Sequence, residues 1–197
     1  MPNKVDNQVL WATLARPLVA VLGLGIAVTC GLAAWQRAAP LTAPTLFPFA
    51  ETWYAKSAAA TTPAEGIADA QMAIRLAPIN AGNWMLLAYQ YNRADRGVSP
   101  RVVQAVRQSY AASPLAAEVS AYRLSFVFNA WQGLPEDLRD LARDEARQFG
   151  TTGIGQRFLS RAVPTIADDR ARLEFAVITL IGHIQYEAMI RGYQKSQ

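Results

Sequence analysis

The stretch PLVAVLGLGIAVTCGLAAW, residues 17–35, carries no charged side chain, and beyond it the pattern changes character. From about residue 49 onward apolar positions return every three or four residues, the period of a helix with one buried face, and little alternates in the manner of a strand. In LPEDLRDLARDEARQFG the apolar set is Leu134, Leu138, Leu141 and Phe149, and Gly150 is a natural stop. The other face of that segment pairs Glu136, Asp140 and Asp144 with Arg139, Arg143 and Arg147, each Arg three residues after an acid, as on a solvated helix surface. Start signals punctuate the chain: Thr62-Pro63-Ala64-Glu65 is a capping box with proline at the first helical position, Ser99-Pro100 and Ser113-Pro114 repeat the polar-then-proline start, and Thr165 with Asp168 offers a weaker one. The pattern predicts helices over 9–36, 50–60, 63–77, 81–94, 100–112, 114–131, 135–149, 154–163 and 168–193.

The first of these is long enough to cross the roughly 30 Å hydrocarbon core of a bilayer. Trp11 and Trp35 bracket it as interfacial aromatics do, and Lys4 with Arg16 outweighs Arg37 on the far side, which predicts a cytoplasmic N-terminus. A cleaved signal peptide is the competing reading, with Ala33 and Ala34 as small residues for a cleavage site. The apolar run is longer than an ordinary signal core and is followed by bulky Trp35. Thr29 before Cys30 fits a lipoprotein site poorly. Pro40, Pro44 and Pro48 then deny residues 38–50 a helix ladder and predict a stiff spacer. The expected layout is a cytoplasmic segment 1–16, a transmembrane helix 17–36, a proline-rich linker 37–49 and an extracytoplasmic helical domain 50–197, with the anchor in a bacterial inner membrane and the domain in the periplasm.

Composition agrees with this division. Hydrophobic residues make up 52% of the 197 and charged residues only 17%, below the roughly 25% charge typical of soluble domains. The net charge of +4 comes from scattered Arg without a basic stripe, so nucleic acid is not an expected partner. Cys30, the only cysteine, lies in the apolar run and can form no internal disulfide.

One stretch carries a more specific signal. AIRLAPINAGNWMLLAYQY, residues 73–91, runs from a helix through Pro78 into a second helix. With Pro78 closing one unit, Ala70, Ala73 and Ile74 fall at second-helix packing positions, and the next unit opens at Ala81 with Trp84, Leu87, Ala88 and Tyr91. This resembles a tetratricopeptide repeat, a 34-residue helical hairpin with W, L, small and Y at those places in its first helix. The resemblance covers roughly residues 50–114. The hairpin before it departs from the pattern, with Trp53 and Tyr54 at the L and small positions and Gly66 where alanine is usual. Val102, Val106 and Ser109 fill the packing positions of the helix after it imperfectly. Beyond Pro114 the frame puts Ser120 at the W and Arg123 at the L position, so later helices are expected to cap a short array. The resemblance implies an all-α fold, a membrane helix followed by a hairpin-repeat domain, and a concave groove used to hold peptides or partner proteins. Met85, Tyr89 and Asn92 would face that groove; packing against the neighbouring hairpin is the alternative for Met85 and Tyr89.

Chemistry is scarce by comparison. His183, the single histidine, sits between Ile181 and Ile184 and reads as structural, and with one His and one Cys no zinc site is expected. GTTGIG, residues 150–155, follows a helix where a phosphate loop needs a strand, so it reads as a flexible connection. Asp168 and Asp169 suit a helix start. The last helix is apolar over more than one face, through Leu173, Val177, Leu180, Ile181 and Ile184, with Phe175, Ile178 and Tyr186 to the side; burial within the domain, a protein partner or the membrane surface would each cover it. The expectation is therefore a membrane-anchored, non-catalytic scaffold or adaptor without cofactor or metal, its partner another envelope protein, in a setting similar to accessory components of envelope polysaccharide assembly. The alternatives are a glycan-processing enzyme using two carboxylates and a subunit of a larger membrane complex.

Overall fold

The computed structural model describes residues 4–195, with side chains described for 21–194, so the expected cytoplasmic segment and the flanking side chains of Lys4, Trp11 and Arg16 lie outside the described side chains. The described residues form nine α-helices and no strand: α1 (Lys4–Ala38), α2 (Ala50–Ala59), α3 (Pro63–Leu76), α4 (Ala81–Asp95), α5 (Pro100–Ala112), α6 (Ala117–Asn129), α7 (Glu136–Phe149), α8 (Gly153–Ala162) and α9 (Asp169–Lys195). Short 3₁₀ turns at Trp131–Gly133 and Val163–Thr165 join α6 to α7 and α8 to α9. Consecutive pairs α2/α3, α3/α4 and α4/α5 pack along their lengths, and α2, α4 and α6 lie side by side. The later helices close the far end, with α9 laid across α6, α7 and α8.

Several helix ends follow from local chemistry. Thr62 Oγ1 accepts from the Glu65 amide at 3.3 Å, and its hydroxyl donates to the Glu65 carboxylate at 2.8 Å. Asn80 caps α4 through the amides of Gly82 and Asn83. The α3/α4 junction is sealed further by Trp84 Nε1, which donates to the Pro78 carbonyl at 2.8 Å, and by Asn83 Nδ2, which donates to Ala73 O at 3.1 Å. At the end of α4, Arg96 adopts a left-handed φ of 56° and Gly97 a φ of 154°, a region where only glycine sits without strain.

Three expectations fail locally. Ser113-Pro114 starts no helix: the carbonyls of both residues are turned onto the Arg123 guanidinium, and α6 begins only at Ala117. Leu141 is exposed and Ala142 takes its place in the core with Leu138, Ala146 and Phe149. GTTGIG is a built turn rather than a flexible one. Thr152 Oγ1 caps α8 by accepting from Gly155 N and donates to Phe149 O, and a Cβ on Gly155 would stand 1.8 Å from that same carbonyl.

The 18 residues Val21–Ala38 have a mean hydropathy of 1.3, so this helix is long and apolar enough to cross a bilayer. The proline-rich linker beyond it is held against the helix ends. Gln36, buried at the end of α1, accepts from the amides of Leu46 and Phe47 and donates to Phe47 O and Thr52 Oγ1. Residues 39–47 are thereby folded back onto α1 and α2, with Phe47 stacked on Phe49 and Arg37 over the Phe49 ring.

The core runs unbroken from Ala70 on α3 to Ile178 on α9. At its far end Phe128 lies against Trp131 and Phe175, with ring centroids 4.6 and 4.3 Å away, and the guanidinium groups of Arg139 and Arg143 cover the outer side of Trp131. Arg143 also pairs with Glu136, Asp140 and Glu174, tying α7 to α9.

Candidate functional site

Side chains from α2, α4 and α6 converge on one face of the domain. Tyr54, Tyr89 and Tyr122 each leave nearly two-fifths of their surface to solvent, and they stand 35 and 33 residues apart along the chain. Tyr89 meets Tyr122 edge to face at 6.4 Å between centroids, and the Arg93 guanidinium lies 5.9 Å from the Tyr89 ring on its own helix. Partial burial, reinforced by the neighbouring Tyr54 and Tyr89, pushes the Tyr122 phenol above its ordinary value, so it remains a neutral donor at physiological pH.

Beside these rings a groove of about 480 Å³ runs between α4 and α6. Tyr89, Asn92, Tyr122 and Phe126 line its walls and Asn129 its end. Asn129 is committed locally, its amide donating to Ser125 O and its oxygen accepting from Ala167 N. Aromatic walls with a few amides suit a ligand that offers both apolar side chains and backbone hydrogen-bonding groups.

Of the three residues expected on a groove, Tyr89 and Asn92 line this one. Met85 does not: it is fully buried, one helical turn before Tyr89, within the core that α4 shares with its neighbours. All three share one stripe of α4 in the sequence pattern. The start of α6 covers the stripe's first turn, where Val119 approaches Gly82, and no periodicity along α4 encodes that. Tyr54 stands at a small-residue position of the repeat frame and no local motif marks Tyr122; their near-equal spacing from Tyr89 is the signal in the sequence.

A buried polar cluster joins α5, α6 and α7. Arg123 on α6 and Glu145 on α7 are paired at 2.5 Å with essentially no exposure. Glu145 also accepts from the Tyr110 hydroxyl at 2.9 Å and the Ser120 hydroxyl at 2.7 Å. Arg123 spends its remaining donors on the carbonyls of Ser109, Ser113 and Pro114 and stacks on the Tyr110 ring at 4.0 Å. Burial, with the Glu145 charge adding to it, drives the Tyr110 phenol well above its ordinary value. A pair sealed this completely has no access to substrate. It fixes how α5, α6 and the turn between them seat on α7.

A second polar knot joins α2, α3 and α4. Ser57 Oγ donates to Gly66 O at 2.7 Å, Gln90 Nε2 donates to Ser57 O at 2.7 Å, and Arg93 reaches the carbonyls of Ala60 and Thr61. At Gly66 the Gln90 amide occupies the space that a Cβ would take, 2.4 Å from Gln90 Cδ.

His183 is exposed on α9 and borders a hollow lined by Gln156, Arg157 and Ser160. Asp168 and Asp169 serve the start of α9: Asp168 accepts from Ala171 N, and this bond together with one from Gln132 holds its carboxyl below the usual range. Among the described residues no three His, Cys, Asp or Glu side chains are grouped to hold a metal ion. Comparison with known proteins finds no matching family model, no matching curated protein and no matching solved structure.

Proposed function

We propose that the chain is a membrane-anchored adaptor that holds a segment of another envelope protein against the tyrosine face of α2, α4 and α6. The observation that carries this reading is the convergence of Tyr54, Tyr89 and Tyr122 beside the groove that Tyr89, Asn92 and Phe126 line. Rigid, half-exposed tyrosines supply contact area at small entropic cost, and tyrosine is enriched where binding energy concentrates in protein interfaces. The tetratricopeptide-like reading is supported by the side-by-side placement of α2, α4 and α6 and by the near-equal spacing of the three tyrosines. The apolar α1 and the Lys4/Arg16 bias support a bitopic chain with this domain in the periplasm, where an accessory role in polysaccharide assembly would be exercised through protein contacts.

The glycan-processing alternative has less support, since glycoside hydrolysis needs two carboxyl groups facing one cleft and the groove's lining contains neither Asp nor Glu. The test is a photoreactive phenylalanine analogue at Asn92 in the full-length chain, irradiated in native membranes at normal expression. A discrete adduct with one other protein, reduced at least fivefold by Tyr122→Ala, is the expected result. Recovery of the chain without an adduct, or an adduct indifferent to Tyr122→Ala, refutes the proposal.

A further inference from the structure

The groove between α4 and α6 restricts what can lie in it. Its lining contains no Asp, Glu, Lys, Arg or His side chain. Arg93, whose guanidinium lies against the Tyr89 ring, spends its donors on the carbonyls of Ala60 and Thr61 and on Gln90. An acidic or phosphorylated segment therefore meets no counter-charge on these walls. Strand addition needs an open sheet edge, and the described residues contain no strand. What the groove does offer is donors. The hydroxyls of Tyr89 and Tyr122 and the side-chain amide of Asn92 make no hydrogen bond within the described residues, and the raised Tyr122 phenol keeps its proton. A docked helix closes its backbone carbonyls inside itself, so it would cover these groups and leave buried donors unmatched.

A polyproline II segment is the opposite case. It has no internal hydrogen bonds, so its carbonyls are all open, and a proline presents its ring to an aromatic wall with no N–H that needs an acceptor. Its conformation exists before binding, so little order remains to be imposed. We propose that this groove takes a proline-rich segment of a second protein, with proline rings against Tyr89, Tyr122 and Phe126 and backbone carbonyls accepting from the Tyr122 hydroxyl and the Asn92 amide. The inference names the class of segment and rests on the proposed adaptor function. The chain's own prolines are not the occupant: Pro40 and Pro44 lie in the stretch folded back onto α1 and α2, which Gln36 fastens at Leu46 and Phe47.

The test measures the fluorescence anisotropy of labelled decaproline with the full chain in detergent, beside a Gly-Ser decapeptide and an amphipathic helical peptide. Saturable binding of decaproline, at least tenfold tighter than either control, is expected. Tyr122→Phe keeps the ring and removes the hydroxyl, and Asn92→Ala removes the amide. Each should weaken decaproline about fivefold, the weight of one hydrogen bond, with an unchanged circular dichroism melt. Binding no tighter than the controls, or indifferent to both changes, overturns the inference. Failure of the adaptor function reads differently. A photoreactive side chain at Ser125, on the groove wall, leaves all three donors in place in native membranes. An adduct with another protein that decaproline displaces supports both readings. An adduct that survives excess decaproline keeps the adaptor and overturns the proline-rich occupant, and no adduct refutes the adaptor and the inference with it.

Discussion

Glu145→Gln keeps the shape of the side chain and removes its charge, leaving the Arg123 guanidinium buried among the carbonyls of Ser109, Ser113 and Pro114 with no counter-charge. Breaking one side of a fully buried pair costs about 3–5 kcal/mol. At about 2–4 °C per kcal/mol for a chain of this size, the midpoint of thermal unfolding should fall by roughly 6–20 °C. Arg123→Met should cost about as much, since it strands Glu145 and three carbonyls together. Arg123→Met/Glu145→Leu removes both charges but leaves the Tyr110 and Ser120 hydroxyls and those carbonyls without partners, so it should not restore the original stability. It should nonetheless be less damaging than the two single changes added, by about 2 kcal/mol, within the range of coupling measured between contacting residues. Ser120→Ala takes away one of several donors to Glu145 and should cost only about 1 kcal/mol, which keeps the series interpretable if Glu145→Gln fails to fold. Circular dichroism melts of the detergent-solubilised full chain read all four. A midpoint lowered by less than about 3 °C for Glu145→Gln, near 1 kcal/mol on the same scale, would show that the pair does not hold α6 on α7.

Gly66→Ala should destabilise α2 to α4 by about 1–3 kcal/mol, the usual cost of overpacking, and Gln90→Ala should recover part of that loss by vacating the contested space; additive melts for the double variant would dismiss the contact. For Gly155→Ala the added Cβ meets the fixed Phe149 carbonyl rather than a movable side chain, so no second-site truncation should rescue it, and hydrogen exchange should report opening at the α7/α8 turn first. The bonds from Arg101 and then Ser99 lower the Asp95 carboxyl to about 2. Its folded value lies below the unfolded one, so the contribution is present above about pH 4 and disappears as pH falls through 2. A carbon-detected NMR titration should give that low midpoint, and Arg101→Gln should move it up toward the ordinary range.

What the sequence revealed depended on how local the cause was. Thr62-Pro63 starts α3 and Trp84 follows the junction at Pro78 because the deciding groups lie within a few residues of one another. Ser113-Pro114 carries the same kind of start signal and fails, because Arg123 from a later helix claims the two carbonyls. Arg123 stands at the leucine position of the repeat frame, and Glu145 follows Asp144 on a helix rich in acids and arginines. Their meeting required the placement of α6 on α7, which no spacing along the chain encodes. The groove was half legible: Tyr89 and Asn92 lie on it, while Met85, on the same stripe, is roofed over by a helix whose position periodicity does not fix. The bare face of α9 was visible as excess apolar surface, but that Ile178 and Phe175 point inward while Val177 and Leu180 point outward was not.

The Gln36 amide changes what an anchor helix can do. Three prolines alone would leave a stiff spacer standing off α1, but Gln36 ties the end of α1 to the linker through three hydrogen bonds to Leu46 and Phe47 and to the first turn of α2 through a fourth, to Thr52. As a span, α1 would take a tilt set by bilayer thickness and by its interfacial residues. Through this tie that tilt would reach the domain as leverage instead of being lost in slack. The orientation in which the tyrosine face is offered would then be a property of the surrounding lipid as much as of the protein, and a single side chain would be its fulcrum.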